Sequence, residues 1–445
     1  MVRSRRGWMA AWLSAMALGA VVLPGVAAAQ SLTFGQGPWN HHDQRVLDRW
    51  LASTAAQSRD RKPLHPEVLE LKRAIEANPE LFMLFNEMFS QIPAKPEFSV
   101  TPTGSKQPRD YLQALQMINE VLTTAPPFAK NDLVGFPINA ILNWSMGTEA
   151  GSIAFLDPQV NAAIKKILNR WAAYLRSEAS TSVLNTDPVT GWFGRDAMEA
   201  MPNFVEDFIS DPSLPHYGFK SWDDFFTRQY RPGRRPVVEP KNNNVIANSC
   251  ESAPYRLSRN VQLTDTFWVK AQPYSLLHVF KDEALAQQFV GGTVYQGFLS
   301  ALSYHRWHSP VSGTIRSTSV IDGSYYAAAR SEGFDPASPN QSQGYIPQVA
   351  SRGIVLIEAD NPDIGLMAVV YVGMSEVSSN EFTVKPGQRV AKGDQLGMFH
   401  YGGSTHLLVF RPGVNLEFDF RDQTPGLDTR NIPVRSRIAT VVPRS

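Results

Sequence analysis

The apolar residues of this 445-residue chain change their period once, and that change constrains the architecture more than any other feature. From about residue 40 to about 205 they recur at three-and-four spacing, as in HPEVLELKRAIEANPELFMLFNEMFSQI (65–92) and NAAIKKILNRWAAYLRSEA (161–179). That spacing lays an apolar stripe along one face, so these stretches are predicted to be amphipathic helices. After about residue 215 the texture becomes short apolar runs punctuated by Gly, Pro, Asn and Asp, among them GTIRSTSVI, GIVLIEADNP, LMAVVYVGM and LLVFRPGVNLEFDF. Runs of this kind pair as antiparallel strands. The expected class is α+β: a helical region over residues 30–205, then a mainly antiparallel β region over 206–445. With 43% hydrophobic and 19% charged residues, the chain has material for two cores.

Charge and cysteine content remove several function classes. Lys and Arg number 42 against 41 Asp and Glu, and the net charge of +1 offers no basic footprint for nucleic acid. The single cysteine, Cys250, excludes an internal disulfide, and no Cys/His cluster has the spacing of a zinc site, so no metal is expected. The first 29 residues stand apart. Arg3, Arg5 and Arg6 precede an apolar run from Trp8 to Val22, and Ala27-Ala28-Ala29 form a small-residue cleavage site. This is the pattern of a secretory signal peptide, which predicts an exported protein, periplasmic or secreted. The alternative, a permanent anchor, is opposed by the shortness of the run and its end at Pro24-Gly25. Ser4-Arg5-Arg6-Gly7-Trp8 also fits a twin-arginine export signal loosely.

Three polar clusters in the β region carry candidate chemistry. The first is Gly402-Gly403-Ser404-Thr405, within FHYGGSTHLLVF (399–410). A glycine pair weakens a strand, so either a bulge or turn exposes a serine there, or the serine needs its small neighbours. The second is YHRWHSP, with His305 and His308; the third is SCES, with Glu251. Ser, His and a carboxylate are the ingredients of nucleophilic catalysis, although the two histidines could equally satisfy hydrogen bonds at a domain edge. Metal chelation by the histidine pair is opposed by Ser309-Pro310, which stops a helix, and by the lack of a third ligand. Ser404 also lacks the Gly-x-Ser-x-Gly elbow of the α/β-hydrolases. VKPGQRVAKGDQLGMF has the paired turns of small biotin- or lipoate-carrying barrels, without the lysine context of a carrier.

One resemblance joins these clusters in a single order. FKSWDDFFTRQYRPGRRP, FWVKAQPYSL, YHRWHSPVSGTI and VAKGDQLGMFHYGGST, spread from residue 217 to the C-terminal region, resemble the motifs of the phosphatidylserine decarboxylases, which make their own pyruvoyl cofactor. LNWSMGTEAGSIAFLDP and LNTDPVTGWFGRDA are similar to the extra N-terminal domain of the branch that includes tryptophan decarboxylases. The resemblance implies self-cleavage between Gly403 and Ser404: the serine hydroxyl attacks the Gly403 carbonyl, and elimination and hydrolysis leave a pyruvoyl group in place of Ser404. The products would be a large chain ending at Gly403 and a small chain beginning at the pyruvoyl group. The same resemblance makes His308 the general base, His305 a participant in decarboxylation, and Glu251 the stand-in for the family's aspartate that orients His308. Ser303 occupies the position of another customary aspartate.

Such an enzyme would need no pyridoxal phosphate and no metal, because the ketone of the cofactor condenses with the substrate amine and draws electrons as carbon dioxide leaves. Its substrate would be phosphatidylserine, which demands peripheral contact with a bilayer, or a free L-amino acid such as an aromatic one, which demands only a closed pocket. A degenerate exported binding protein of the same fold is the alternative, suggested by the missing aspartate.

Overall fold

Prolines and capping side chains determine where the helices begin. The chain is described by a computed structural model over residues 44–60, 62–92, 108–130, 132–265, 274–300, 302–329, 342–376, 379–401, 404–426 and 428–442. The expected signal segment, Gly403 and most of FWVKAQPYSL lie outside the described residues. The first helices are α1 (Gln44–Gln57), α2 (Pro66–Ala77), α3 (Pro79–Gln91) and α4 (Tyr111–Val121). The periodic stretch 65–92 is therefore broken into α2 and α3. Asn78 sits extended at the break (φ −111°, ψ 111°), because the residue before a proline is pushed out of the helical region, and its side chain caps the Glu80 and Leu81 N–H groups. Asp110 caps α4 in the same way.

Next come α5 (Pro137–Met146), α6 (Glu149–Ala154) and α7 (Pro158–Leu175), the last capped by Asp157. Short helices α8 (Arg195–Ala200), α9 (Phe204–Asp207) and α10 (Trp222–Phe226) follow. Helix α2 packs on α7, and α3 on α6. Their apolar stripes bury Leu71, Ile75, Phe85, Phe89, Ile118, Ile164, Leu168 and Trp171 in one core. Each such side chain contributes about 1.5–3 kcal/mol relative to exposure. That core continues through Trp222, Phe225 and Phe226, and it takes in Tyr304, Tyr326 and Tyr401 from the β region. The two layers are thus keyed together by aromatic rings, with Trp171 and Trp222 each meeting Tyr401 edge-on at 4.5 Å between centroids.

Thirteen strands are formed among the described residues: β1 (Val245–Ala247), β2 (Ala253–Arg259), β3 (Thr293–Leu299), β4 (Arg306–His308), β5 (Gly313–Ile321), β6 (Arg352–Ala359), β7 (Leu366–Gly373), β8 (Ser379–Phe382), β9 (Arg389–Val390), β10 (Gln395–His400), β11 (Ser404–Phe410), β12 (Leu416–Phe418) and β13 (Arg437–Val441). The main sheet has the order β2-β3-β11-β7-β6-β5-β9, every pair antiparallel. Two three-stranded sheets, β4-β10-β8 and β1-β13-β12, flank it. Strands β3 and β11 are buried along their whole length, and β7 from its second residue on, which explains why they read as nearly continuous apolar runs rather than clean alternation.

Candidate active site

The register of the three central strands builds one end of the site. Ser404, the first residue of β11, pairs with Leu299 at the end of β3 and with Gly373 at the end of β7. The loop after β3, the turn after β7 and the segment before β11 therefore all emerge at the same edge. Ser404 is fully buried, and its Oγ makes no hydrogen bond among the described residues. The exposed serine on a turn, one of the two readings of the Gly-Gly-Ser-Thr cluster, does not form. A buried hydroxyl left without a partner costs about 1–3 kcal/mol, so its presence here calls for a function.

The histidine motif arrives from the loop after β3. His305 is fully buried, with its ring stacked on Phe226 of α10 at 4.1 Å. Its carbonyl accepts the Phe399 N–H, tying it to β10, the strand that leads to the Gly-Gly-Ser cluster. His308 ends β4 and is also buried. Its Nδ1 lies 2.9 Å from the Gly393 carbonyl and its Nε2 3.0 Å from the Tyr304 hydroxyl. A carbonyl can only accept, so Nδ1 carries the proton and Nε2 accepts from Tyr304. Burial, helped by the Arg435 cation, pushes the His308 pKa down to about 3, which keeps the ring neutral. Gly393 is required at its turn: φ is +88°, and a Cβ would meet Val237 Cγ2 at 2.3 Å.

Glu251 does not orient His308. Its carboxylate receives Nη2 and Nε of Arg235 at 2.9 and 3.1 Å, and the Val434 N–H at 2.8 Å. Both ring nitrogens of His308 are already engaged elsewhere. A forked guanidinium satisfies a carboxylate at two points, and Arg235 belongs to RPGRRP, close enough in sequence to reach it. The Ser404–His308 contact implied by the resemblance is not made either, since His308 is held by Tyr304 and Gly393.

A cleft of about 820 Å³ opens beside Glu251 and Tyr304, lined by Ser300, Ser303 and Tyr304 from the histidine loop and by Phe128, Trp192, Phe208 and Tyr230 from the helical side; Ser404, His305 and His308 do not line it. Its charged groups are mostly paired: Arg235 with Glu251, and Lys130 with Asp196 at 3.1 Å. Arg228 differs. Its Nη2 donates to the Leu302 and Ser303 carbonyls at 2.6 and 3.2 Å, its guanidinium lies 4.6 Å from the Phe208 ring centre, and its Nε has no partner among the described residues. Burial pushes its pKa down to about 10, so it stays charged. Arg228 thereby fixes the loop that presents Tyr304 and His305.

Tyr304 and Arg228 both lie within motifs that were visible in the sequence, yet neither was singled out there. Their signal was position alone, beside His305 and after Phe226. Models of the phosphatidylserine decarboxylase family match residues 65–201 and 222–426. The chain is 35% identical to an L-tryptophan decarboxylase of Psilocybe cubensis over 414 residues, covering 87% of this chain and 91% of that protein. It is 44% identical to the decarboxylase iboD of Amanita muscaria over 64% of this chain and 86% of that one. A phosphatidylserine decarboxylase proenzyme of Chlamydia felis is 30% identical over 59% and 85% respectively.

Proposed function

Because the chain belongs to the phosphatidylserine decarboxylase family, and is accordingly a carboxy-lyase, we propose that it matures by cutting itself between Gly403 and Ser404 and acts on a free aromatic L-amino acid. The observation that carries this reading is the buried Ser404 hydroxyl at the head of a central strand, which has no hydrogen-bond partner among the described residues. The fit extends to the pyruvoyl group, which is smaller than the serine it replaces and would sit between Gly373 and Leu299 on a strand held on both sides. When formed, it supplies a ketone that accepts the electrons released with carbon dioxide.

Maturation is chemistry of the chain's own residues. The Ser404 hydroxyl loses its proton to a base and attacks the Gly403 carbonyl; the peptide C–N bond breaks, the nitrogen takes a proton, and an ester joins the two residues. Loss of the Ser404 α-proton then expels the Gly403 carboxylate, and hydrolysis of the resulting enamine releases ammonia. His308 is unprotonated, as a proton acceptor in the first step must be, but its lone pair is spent on Tyr304. Breaking that bond to reach the serine costs about 0.5–1.5 kcal/mol, a small part of any barrier.

The substrate reading rests on the cleft and the relatives. Its 820 Å³ suits a small molecule, and Trp192, Phe128 and Tyr230 offer flat apolar faces to a ring. Relatives named as L-tryptophan decarboxylases align over most of the chain. The signal pattern of residues 1–29 supports export, so the substrate would be met outside the cytoplasm. The test compares the wild-type chain with Ser404→Ala. The wild type should run as two bands on a denaturing gel and release CO2 from an aromatic amino acid but not from phosphatidylserine vesicles. Ser404→Ala should remain one band and release none; cleavage in that variant would refute the assignment, and turnover of vesicles alone would refute the substrate.

A further inference from the structure

The maturation proposed above removes two different protons, the hydroxyl proton and the α-proton of Ser404, and the histidine motif accounts for only the first. A second buried base stands at the same edge of the sheet. Glu376 lies three residues beyond Gly373, the register partner of Ser404, and is 4% exposed. Tyr401 lies three residues before Ser404. Both reach the same turn of the helical layer: Glu376 Oε1 accepts the Asn139 N–H at 2.8 Å, and the Tyr401 hydroxyl donates to the Gly135 carbonyl. Ser375, in the left-handed region at φ +54°, adds a bond from its hydroxyl to Asn139 Oδ1 at 2.9 Å. The start of α5 is thereby clamped to the turn after β7 and to Tyr401 ahead of β11.

Capping explains one oxygen of Glu376 and leaves the other. The residue before α5, Phe136, provides no side-chain cap, and Glu376 Oε1 fills that role. Oε2 is buried and makes no hydrogen bond among the described residues. Burial raises the carboxyl to about 7 against the pull of the Asn139 N–H, its own N–H and the Ile138 N–H, so near neutral pH it can both take and return a proton. In the register, Gly373 stands opposite Ser404 and carries no side chain.

We propose that Glu376 is the catalytic base that removes the α-proton of Ser404 in the elimination step of maturation. The Cα–H electrons form the Cα=Cβ double bond, the Cβ–O ester bond breaks, and Gly403 departs as the carboxylate terminus of the large chain. The proton held on Oε2 is then returned to Cβ, making the methyl group, while water replaces nitrogen at Cα and ammonia leaves. No oxidant or other co-reactant is needed. The assignment rests on the self-cleavage reading and adds a division of labour to it.

The test uses Glu376→Gln, which keeps an oxygen for the Asn139 N–H and so keeps the cap. The expected result is a chain that completes the acyl shift and stalls, with elimination slowed at least about 100-fold. Hydroxylamine should then cut it at the accumulated ester and release a small chain with a free Ser404 amine, readable by N-terminal sequencing, whereas the wild-type small chain is blocked. Glu376→Asp, which keeps the acid on a shorter stem, should accumulate the same ester and eliminate slowly. Normal blocked small chain from Glu376→Gln at the wild-type rate would overturn the proposal. So would a folded but uncut variant with no hydroxylamine-sensitive bond, the result of a purely structural role. A wild-type chain that is never cut would instead defeat the self-cleavage reading itself.

Discussion

Replacing Glu251 by Gln separates an ion pair from a catalytic dyad. The carboxylate makes two charge-assisted bonds to Arg235, with side chains 10% and 26% exposed, and one bond to the Val434 N–H. Glutamine retains an acceptor for Val434 and loses the charge. Arg235 keeps a second acid, Asp207, at 3.7 Å, so the change does not strand a cation. Charge-assisted hydrogen bonds contribute about 1.5–3 kcal/mol each, and the surviving partner and partial exposure place the net loss at about 2 kcal/mol. Urea unfolding in the uncut Ser404→Ala background should show that loss as a lower midpoint. Self-cleavage, followed on gels in the otherwise native chain, should continue at close to the wild-type rate. Were Glu251 the group that orients His308, the rate would fall by about 10⁴, as it does when a buried triad carboxylate is neutralised. Lost cutting with an unchanged urea midpoint would refute this account of Glu251.

Three further outcomes follow from the same geometry. His308→Ala should abolish cutting, and a normally processed variant would show that another base serves the hydroxyl. His305→Gln should still cut but decarboxylate slowly, since His305 stacks on Phe226 and takes no part in the first step; wild-type turnover would remove it from the reaction. His400, four residues before Ser404, bridges Asp223 at 3.0 Å and Glu381 at 2.9 Å. Burial opposes its charge, but the two carboxylates outweigh it and raise its pKa above the ordinary 6.5. Its contribution to stability is therefore complete below pH 6.5 and is lost as pH rises through the raised value. Unfolding midpoints of wild type and His400→Gln should converge at high pH and separate at low pH.

The fold class was legible because the two periods are physical: a buried stripe every three or four residues, and short apolar runs between turn formers. The break at Asn78-Pro79 was legible in principle too, from the proline alone. The site was legible only as a set of clusters. The loop carrying His305 and His308 leaves β3 at the edge where β11 begins with Ser404, but the partner of Glu251 was decided by Arg235, whose approach depends on tertiary placement and leaves no periodic trace. Glu376 was invisible for a similar reason. An acid following the apolar run LMAVVYVGM reads as an ordinary loop residue until the register sets Gly373 against Ser404 and α5 covers it. Tyr304 was masked by its neighbour, because attention goes to the histidine beside it.

The central claim is that Ser404 becomes the cofactor, and the intact mass of the purified mature protein addresses it directly. The account predicts two species, the smaller one spanning residues 404–445 and lighter than its serine form by one ammonia. A single uncut species would contradict it and bring forward the alternative of an exported binding protein built on a decarboxylase fold.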